Sequence, residues 1–257
     1  MSNRWEAKII TDSCLTTKHL IQISSREIPG VIFPKVLNSE ECRSITKKIL
    51  SHNQRSPGLG GTEKIGESIN AYPSNKFEYF QKAKHSNHLL KKVFFHNDPR
   101  QIMLSKISSF YRKEIHFAKE GSLEYSNGII RLHKPGNTVD IHRDNASFDA
   151  PSFLVSGLLE QMSSILYLQE PESGGNLIVY DKLWEKDDEK FRNPEFGYSH
   201  NVINKVRHTS IQCNEGDLVI INPRNYHSVE TVRGKLQRLT IGFFFGADLN
   251  SNLLAWS

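Results

Sequence analysis

The chain has 257 residues, 37% hydrophobic, 24% charged and 10% aromatic, and its net charge of +5 comes from 33 Lys and Arg against 28 Asp and Glu. That length suits one large domain, the apolar share excludes a disordered chain, and the scattered lysines read as solvated surface rather than a nucleic-acid footprint. No apolar run approaches the roughly 18 residues of a transmembrane helix, and the opening MSNRWEAKIITDSCL lacks the apolar core of a secretion signal. Cys14, Cys42 and Cys213 cannot all pair within one chain and form no C-x-x-C. A reducing, cytoplasmic compartment is therefore expected, with neither a disulfide framework nor a thiolate zinc site.

Residues 1–27 are polar and carry no clear element signal. Val31 to Phe33 form a short β-type run. A helix is predicted to follow, with Asn38 as N-cap, Glu41 at the capping-box position, and Cys42, Ile45 and Ile49 on one face. Residues 53–72 read as a glycine-rich connection. A second helix is predicted over 75–95, with Phe77, Phe80, Leu89, Val93 and Phe94 as core candidates. A third begins at Asp98-Pro99, an N-cap followed by proline at the first helical position, and buries Met103, Ile107 and Phe110 or Tyr111. From about residue 122 short β-branched and aromatic runs alternate with turn signals: GIIRLH, SSILYLQ, GNLIVYD, RHTSIQ, GDLVIINP, HSVETV and RLTIGFFFG. Such spacing predicts a β sandwich or barrel. The whole is then one α+β domain, with a helical front over about 28–120 and a double-sheet β core over about 122–246. The charged, aromatic stretch 182–202 interrupts the strands and is expected to be a lid or insertion over a site.

The sharpest chemical feature is Ile141-His142-Arg143-Asp144. In a strand, residues i and i+2 share a face, so His142 and Asp144 can aim an imidazole and a carboxylate at one point. A second histidine, His227, follows the strand GDLVIINP. Two histidines and one carboxylate on one octahedral face suit non-haem Fe(II) and leave three positions for a bidentate 2-oxo acid and O2. On the next apolar strand stands Arg238, eleven positions after His227. A guanidinium inside a β core needs a partner, and a dicarboxylic cosubstrate supplies one from outside the chain. His85 and His88 are three apart on a helix but lack a carboxylate, which favours a surface reading for them and for His96.

At these residues the chain resembles the Fe(II)/2-oxoglutarate-dependent dioxygenases. The likeness is to their prolyl-4-hydroxylase-like branch, near the small-molecule hydroxylases and aliphatic halogenases of natural-product pathways. The pattern H-x-D…H…R-x-S/T is met by His142, Asp144, His227, Arg238 and Thr240. PGVIFPKVLNSEEC, RLHKPGNTVDIHRD and ILYLQEPESGGNLIVYD, with its Gly174-Gly175 turn, resemble further family segments. The resemblance covers roughly 28–246. It implies a double-stranded β-helix core of the jelly-roll, cupin-like kind. It gives the iron to His142, Asp144 and His227, and the distal carboxylate of 2-oxoglutarate to Arg238, helped by Thr240. Tyr167 stands where a 2-oxoglutarate-contacting tyrosine often stands, the alternative being an ordinary core aromatic. His133 lies near the place of another family tyrosine and is left unassigned. Arg131 is either a second inward group or a surface residue, depending on register. His200 and His208 flank the lid stretch, within reach of a substrate or on the surface.

The related halogenases carry Gly or Ala where this chain has Asp144, which opens an iron position for chloride. The resemblance therefore implies a hydroxylase, acting on a small molecule such as a free amino acid or natural-product intermediate and releasing succinate and CO2. A peptide or protein side-chain hydroxylase is the first alternative, and a non-catalytic metal-binding jelly-roll module the second. Neither nucleic acid nor membrane is expected as a partner. Nucleic-acid demethylases of this kind usually carry a second arginine six positions after the first, where this chain has Phe244.

Overall fold

The computed structural model describes residues 5–11, 18–95, 97–250 and 252–257, so the readings on Cys14 and His96 lie outside the described residues. Strand β1 (Lys8–Ile9), helix α1 (Lys18–Ser24) and strand β2 (Gly30–Phe33) lead into α2 (Ser39–Ser51). The capping box of α2 is formed: Asn38 accepts from the N–H groups of Glu40 and Glu41, and Glu41 accepts from that of Asn38. Residues 53–72 hold more than a connection, namely β3 (Ser56–Pro57), β4 (Glu63–Ile65) and a 3-10 turn at Ile69–Ala71. The two other predicted helices are α3 (Lys76–Val93) and α4 (Pro99–Tyr111), the latter capped by Asp98. Phe80, Leu89, Val93, Phe94, Met103, Ile107 and Phe110 are buried, but Phe77 is 76% exposed. The buried stripe of α3 runs through Tyr79, Ala83, Leu90 and Val93, and at 3.6 residues per turn Phe77 falls opposite it.

Three short strands follow, β5 (Ile115–Phe117), β6 (Lys119–Glu120) and β7 (Leu123–Glu124). Then come β8 (Ile129–His133), β9 (Val139–His142), the one-turn α5 (Ala146–Asp149), β10 (Leu159–Gln169) and β11 (Leu177–Leu183). The last strands are β12 (His208–Ile211), β13 (Leu218–Ile221), β14 (Asn225–Val229), β15 (Arg238–Ala247) and β16 (Leu253–Trp256). They form a ten-stranded sheet, ordered β1-β2-β13-β10-β15-β8-β4-β3 with β16 and β5 branching from β15, and a four-stranded sheet, ordered β12-β11-β14-β9. The protein is thus a mix of helices and large β-sheets. Among the described residues no helix is long and apolar enough to cross a membrane.

Alternation along the strands sorts the large sheet into two faces. Leu132, Leu166, Leu239 and Ile241 join the helix residues Ile45, Ile49, Leu90, Met103 and Ile107 in one core. On the other face Tyr167, Val219 and Ile221 meet Leu177, Val179 and Ile211 of the four-stranded sheet. The register sets Tyr167 opposite Thr240, Thr240 opposite Arg131, and Arg238 opposite His133. All five polar residues therefore belong to the inter-sheet face, which resolves the register question for Arg131.

The stretch 182–202 packs largely behind the small sheet. Trp184, Phe191, Tyr198 and Val202 pack with Ile141, Tyr180 and Tyr226, residues of the outer face of the four-stranded sheet. Two of its acids, Asp188 and Glu189, are internal partners, while Glu185, Lys186, Asp187 and Lys190 stay exposed. Asp188 receives Lys182 Nζ and the Tyr226 hydroxyl, each at 3.1 Å. Glu189 accepts from Trp184 Nε1 at 2.6 Å and the Tyr198 hydroxyl at 2.9 Å. Most of the segment thus backs the small sheet, because its aromatics find apolar cover there.

Candidate metal centre

Strands β9 and β14 are neighbours, with His142 directly opposite His227 and their ring centroids 4.1 Å apart. Each imidazole turns Nδ1 to the backbone carbonyl two residues earlier, His142 to Asp140 at 2.8 Å and His227 to Asn225 at 2.9 Å. With Nδ1–H donating, Nε2 is left as a bare acceptor on both rings, the form a metal ligand needs. Both Nε2 atoms face Asp144 Oδ2, at 3.5 Å from His227 and 4.0 Å from His142. The three ligand atoms lie within 4.8 Å of one another.

One detail differs from the strand argument. β9 ends at His142, so Asp144 is not on the strand. Its N–H donates instead to the Pro223 carbonyl at 2.9 Å, which ties the segment after β9 to the turn before β14. The two side chains still converge. Asp144 Oδ1 accepts from Asn70 Nδ2 at 2.9 Å. Asn70 sits on the 3-10 turn at Ile69–Ala71, which Ile69 anchors in an aromatic core with Tyr79 and Phe153.

The electrostatics favour a deprotonated donor set. Burial, then the nearby His227, bring the His142 imidazolium pKa down to about 4. Burial would raise Asp144, but the close approach of His227, together with the charges of the site's histidines and Arg131, outweighs it and holds the carboxyl at about 2. At neutral pH the cluster offers a neutral imidazole at His142 and a carboxylate at Asp144. A two-nitrogen, one-oxygen set of this kind suits Fe(II). Because a hydrogen bond to a ligating carboxylate fixes its orientation, Asn70→Ala is expected to weaken metal binding by about 10-fold or more, measured by competition against a chelator of known affinity.

Arg238 is buried on β15, and among the described residues no carboxylate pairs with it. Its Nη1 donates to His133 Nδ1 and its Nη2 to the Tyr167 hydroxyl, both at 3.0 Å. Arg238 Nε and His133 Nε2 are buried without partners. Burial, then the Arg238 and Arg131 charges, push the His133 pKa well below its usual value, so the ring is neutral and its Nε2 carries the proton. Two unanswered N–H donors beside a buried cation fit a carboxylate. The hairpin turn between β10 and β11 closes on this arginine: Gly174 and Gly175 have φ of +68° and +69°, and a Cβ on Gly175 would meet Arg238 Cδ at 3.2 Å. Thr240 is buried between Tyr167 and Arg131 in the ladder.

The other sequence candidates lie elsewhere. His85, His88 and His200 are exposed, and His208 is exposed against Tyr180. From the 182–202 stretch Phe196 approaches the cluster, its ring centroid 5.1 Å from that of His142. It is presented by a turn that hooks over β9: Tyr198 N–H donates to Ile141 O at 2.7 Å, and Gly197 has φ +74°. Asn70 had no sequence signal, because its link to Asp144 spans 74 positions of chain.

Two packed sheets with a two-histidine, one-carboxylate cluster at neighbouring strands of the smaller one define an Fe(II)- and 2-oxoglutarate-dependent oxygenase. The chain belongs to the family of the carrier-protein-independent halogenase WelO5, whose model matches residues 9–257. It is 30% identical over 138 residues to leucinostatins biosynthesis cluster protein S of Purpureocillium lilacinum. That match takes in 51% of this chain and 56% of the relative, so it spans little more than half the relative's length. An N-substituted L-amino acid dioxygenase from Burkholderia ambifaria AMMD shares the fold with a TM-score of 0.63 at 13% identity, over 95% of this chain and 92% of that one. HygX from Streptomyces hygroscopicus, solved with nickel and 2-oxoglutarate, gives a TM-score of 0.55 at 15% identity, over 91% and 88%. The carbocyclase SnoK of nogalamycin biosynthesis gives 0.54 at 15%, over 92% and 85%.

Proposed function

We propose that the protein hydroxylates an unactivated C–H bond of a small molecule, a free amino acid or natural-product intermediate. The observation that carries this reading is Asp144: its carboxylate lies with His142 and His227, in the position that related halogenases leave to chloride. In this reading His142, Asp144 and His227 hold Fe(II). Arg238 receives the distal carboxylate of 2-oxoglutarate, with Tyr167 and Thr240 beside it. Bound together there, Fe(II), 2-oxoglutarate and O2 supply the oxidising power for C–H cleavage, with succinate and CO2 as coproducts. The chain's own part is to aim three ligands at one point, to anchor the dicarboxylate through a buried fork, and to keep water from the space between the sheets.

The two packed sheets are taken as a double-stranded β-helix core within one domain, the helices of about 28–120 backing the large sheet and 182–202 an insertion. A natural-product substrate draws support from the biosynthetic cluster protein among the relatives and from the amino acid dioxygenase among the structural neighbours. Buried Cys42 and Cys213 are free thiols, which fits a cytoplasmic enzyme. Nucleic acid and membrane have no part in this reading.

The test is product mass. The enzyme is supplied with Fe(II), 2-oxoglutarate and O2 in chloride buffer, with free amino acids, their derivatives and short peptides compared for substrate-dependent succinate formation. A product heavier by one oxygen atom, and no halide requirement, is the expected result. A chlorinated product from the unmodified enzyme overturns the role of Asp144. Preferential turnover of peptides overturns the small-molecule reading.

A further inference from the structure

Arg131 stands on β8 two residues before His133, in the ladder row of Thr240 and Tyr167. It therefore faces the same inter-sheet space as Arg238. Its side chain is half-buried, and among the described residues it makes no hydrogen bond and no ion pair. The acids of the flanking segments are engaged. Glu63 takes Arg55 and Lys134, Glu67 takes Lys64 and the Tyr72 hydroxyl, and Asp149 takes Arg143. Asp144 acts on Arg131 electrostatically but is not within ion-pair distance, and it already faces two histidines and Asn70. The remaining neighbours on this face, Arg238 and neutral His133, offer no negative charge.

On the reading above, Fe(II), Arg131 and Arg238 stand against Asp144 and the dianionic 2-oxoglutarate. One positive charge is left over, and Arg131 is the cation without an assigned partner. Partly buried charge between two packed sheets calls for a counter-charge, and a guanidinium matches a carboxylate in shape. We propose that Arg131 binds a carboxylate of the substrate, so that the enzyme takes small organic acids such as amino acids or N-acyl amino acids in preference to their neutral amides. The inference rests on the oxygenase reading and narrows it to a substrate class.

The test pairs Arg131→Gln and Arg131→Lys with matched ligands. Metal and 2-oxoglutarate affinities are measured anaerobically from the visible absorption of the Fe(II)–2-oxoglutarate complex. Succinate formation is then measured with free amino acids and N-acetyl amino acids against the corresponding carboxamides. The unmodified enzyme is expected to favour acids over amides by about 10-fold or more in kcat/KM. Arg131→Gln is expected to lose that preference through KM, Arg131→Lys to recover part of it, and both to bind 2-oxoglutarate as the unmodified protein does. A 10-fold fall in 2-oxoglutarate affinity in Arg131→Gln assigns Arg131 to the cosubstrate and overturns the proposal. So does equal use of acids and amides, or the absence of stimulation by any acid while metal and 2-oxoglutarate bind. Failure of the unmodified protein to bind Fe(II) and 2-oxoglutarate overturns instead the oxygenase reading beneath it.

Discussion

His227→Ala is expected to abolish substrate-dependent succinate formation and to weaken Fe(II) binding by on the order of 100-fold. By analogy with four-ligand structural zinc sites, worth about 10–16 kcal/mol, one ligand accounts for about 3 kcal/mol. The imidazole removed is locked by its Nδ1 contact to Asn225 and directed at Asp144 Oδ2, and the alanine methyl supplies no substitute. Competition titration with a chelator measures the affinity, and full turnover in the variant contradicts the assignment. The same site links metal to stability. A metal present at 100 times its dissociation constant and bound only by the folded chain adds about 2.7 kcal/mol, and chelation should then lower Tm by about 5–10 °C. The His227→Ala protein should show little of that shift.

Arg238→Lys should raise the 2-oxoglutarate requirement about 10-fold or more while leaving Fe(II) affinity near that of the unmodified protein, because charge-assisted hydrogen bonds contribute about 1.5–3 kcal/mol. Lysine keeps the charge but loses the planar fork that reaches His133 and Tyr167 together, and it loses the Nε–H that now has no partner. Two measurements check this. Calorimetry with the metal-loaded protein gives the 2-oxoglutarate affinity directly. The thermal shift produced by 2-oxoglutarate should shrink in the variant but not vanish. An unchanged requirement assigns the anchoring role to another cation, and Arg131 stands on the same face.

Much of the architecture was legible because its signals are local. The Asn38–Glu41 capping box and the Asp98-Pro99 start depend on residues within one helical turn, and both helices begin there. The strand runs from GIIRLH to RLTIGFFFG carry enough β-branched and aromatic residues to declare themselves. The segment 53–72 did not, since β3 and β4 are too short to show a period and are held by pairing, β3 with β4 and β4 with β8. Phe77 was misassigned because a hydrophobic residue near a helix start fits an apolar stripe only once its phase against Tyr79 and Ala83 is known.

The sequence by itself determined the chemistry on offer: an H-x-D pair, a distant histidine and an arginine on the strand after it, residues costly to bury without a purpose. Tertiary structure decided everything that depends on register and long-range pairing. It set His142 opposite His227, put Arg131, His133, Arg238, Thr240 and Tyr167 on one face, and brought Asn70 to Asp144 across 74 positions. It also turned Trp184, Phe191 and Tyr198 to the back of the small sheet, leaving Phe196 beside the cluster. The physical reason is that a one-residue change of register exchanges the faces of a strand, and register is fixed by the packed neighbours rather than by the strand's own residues.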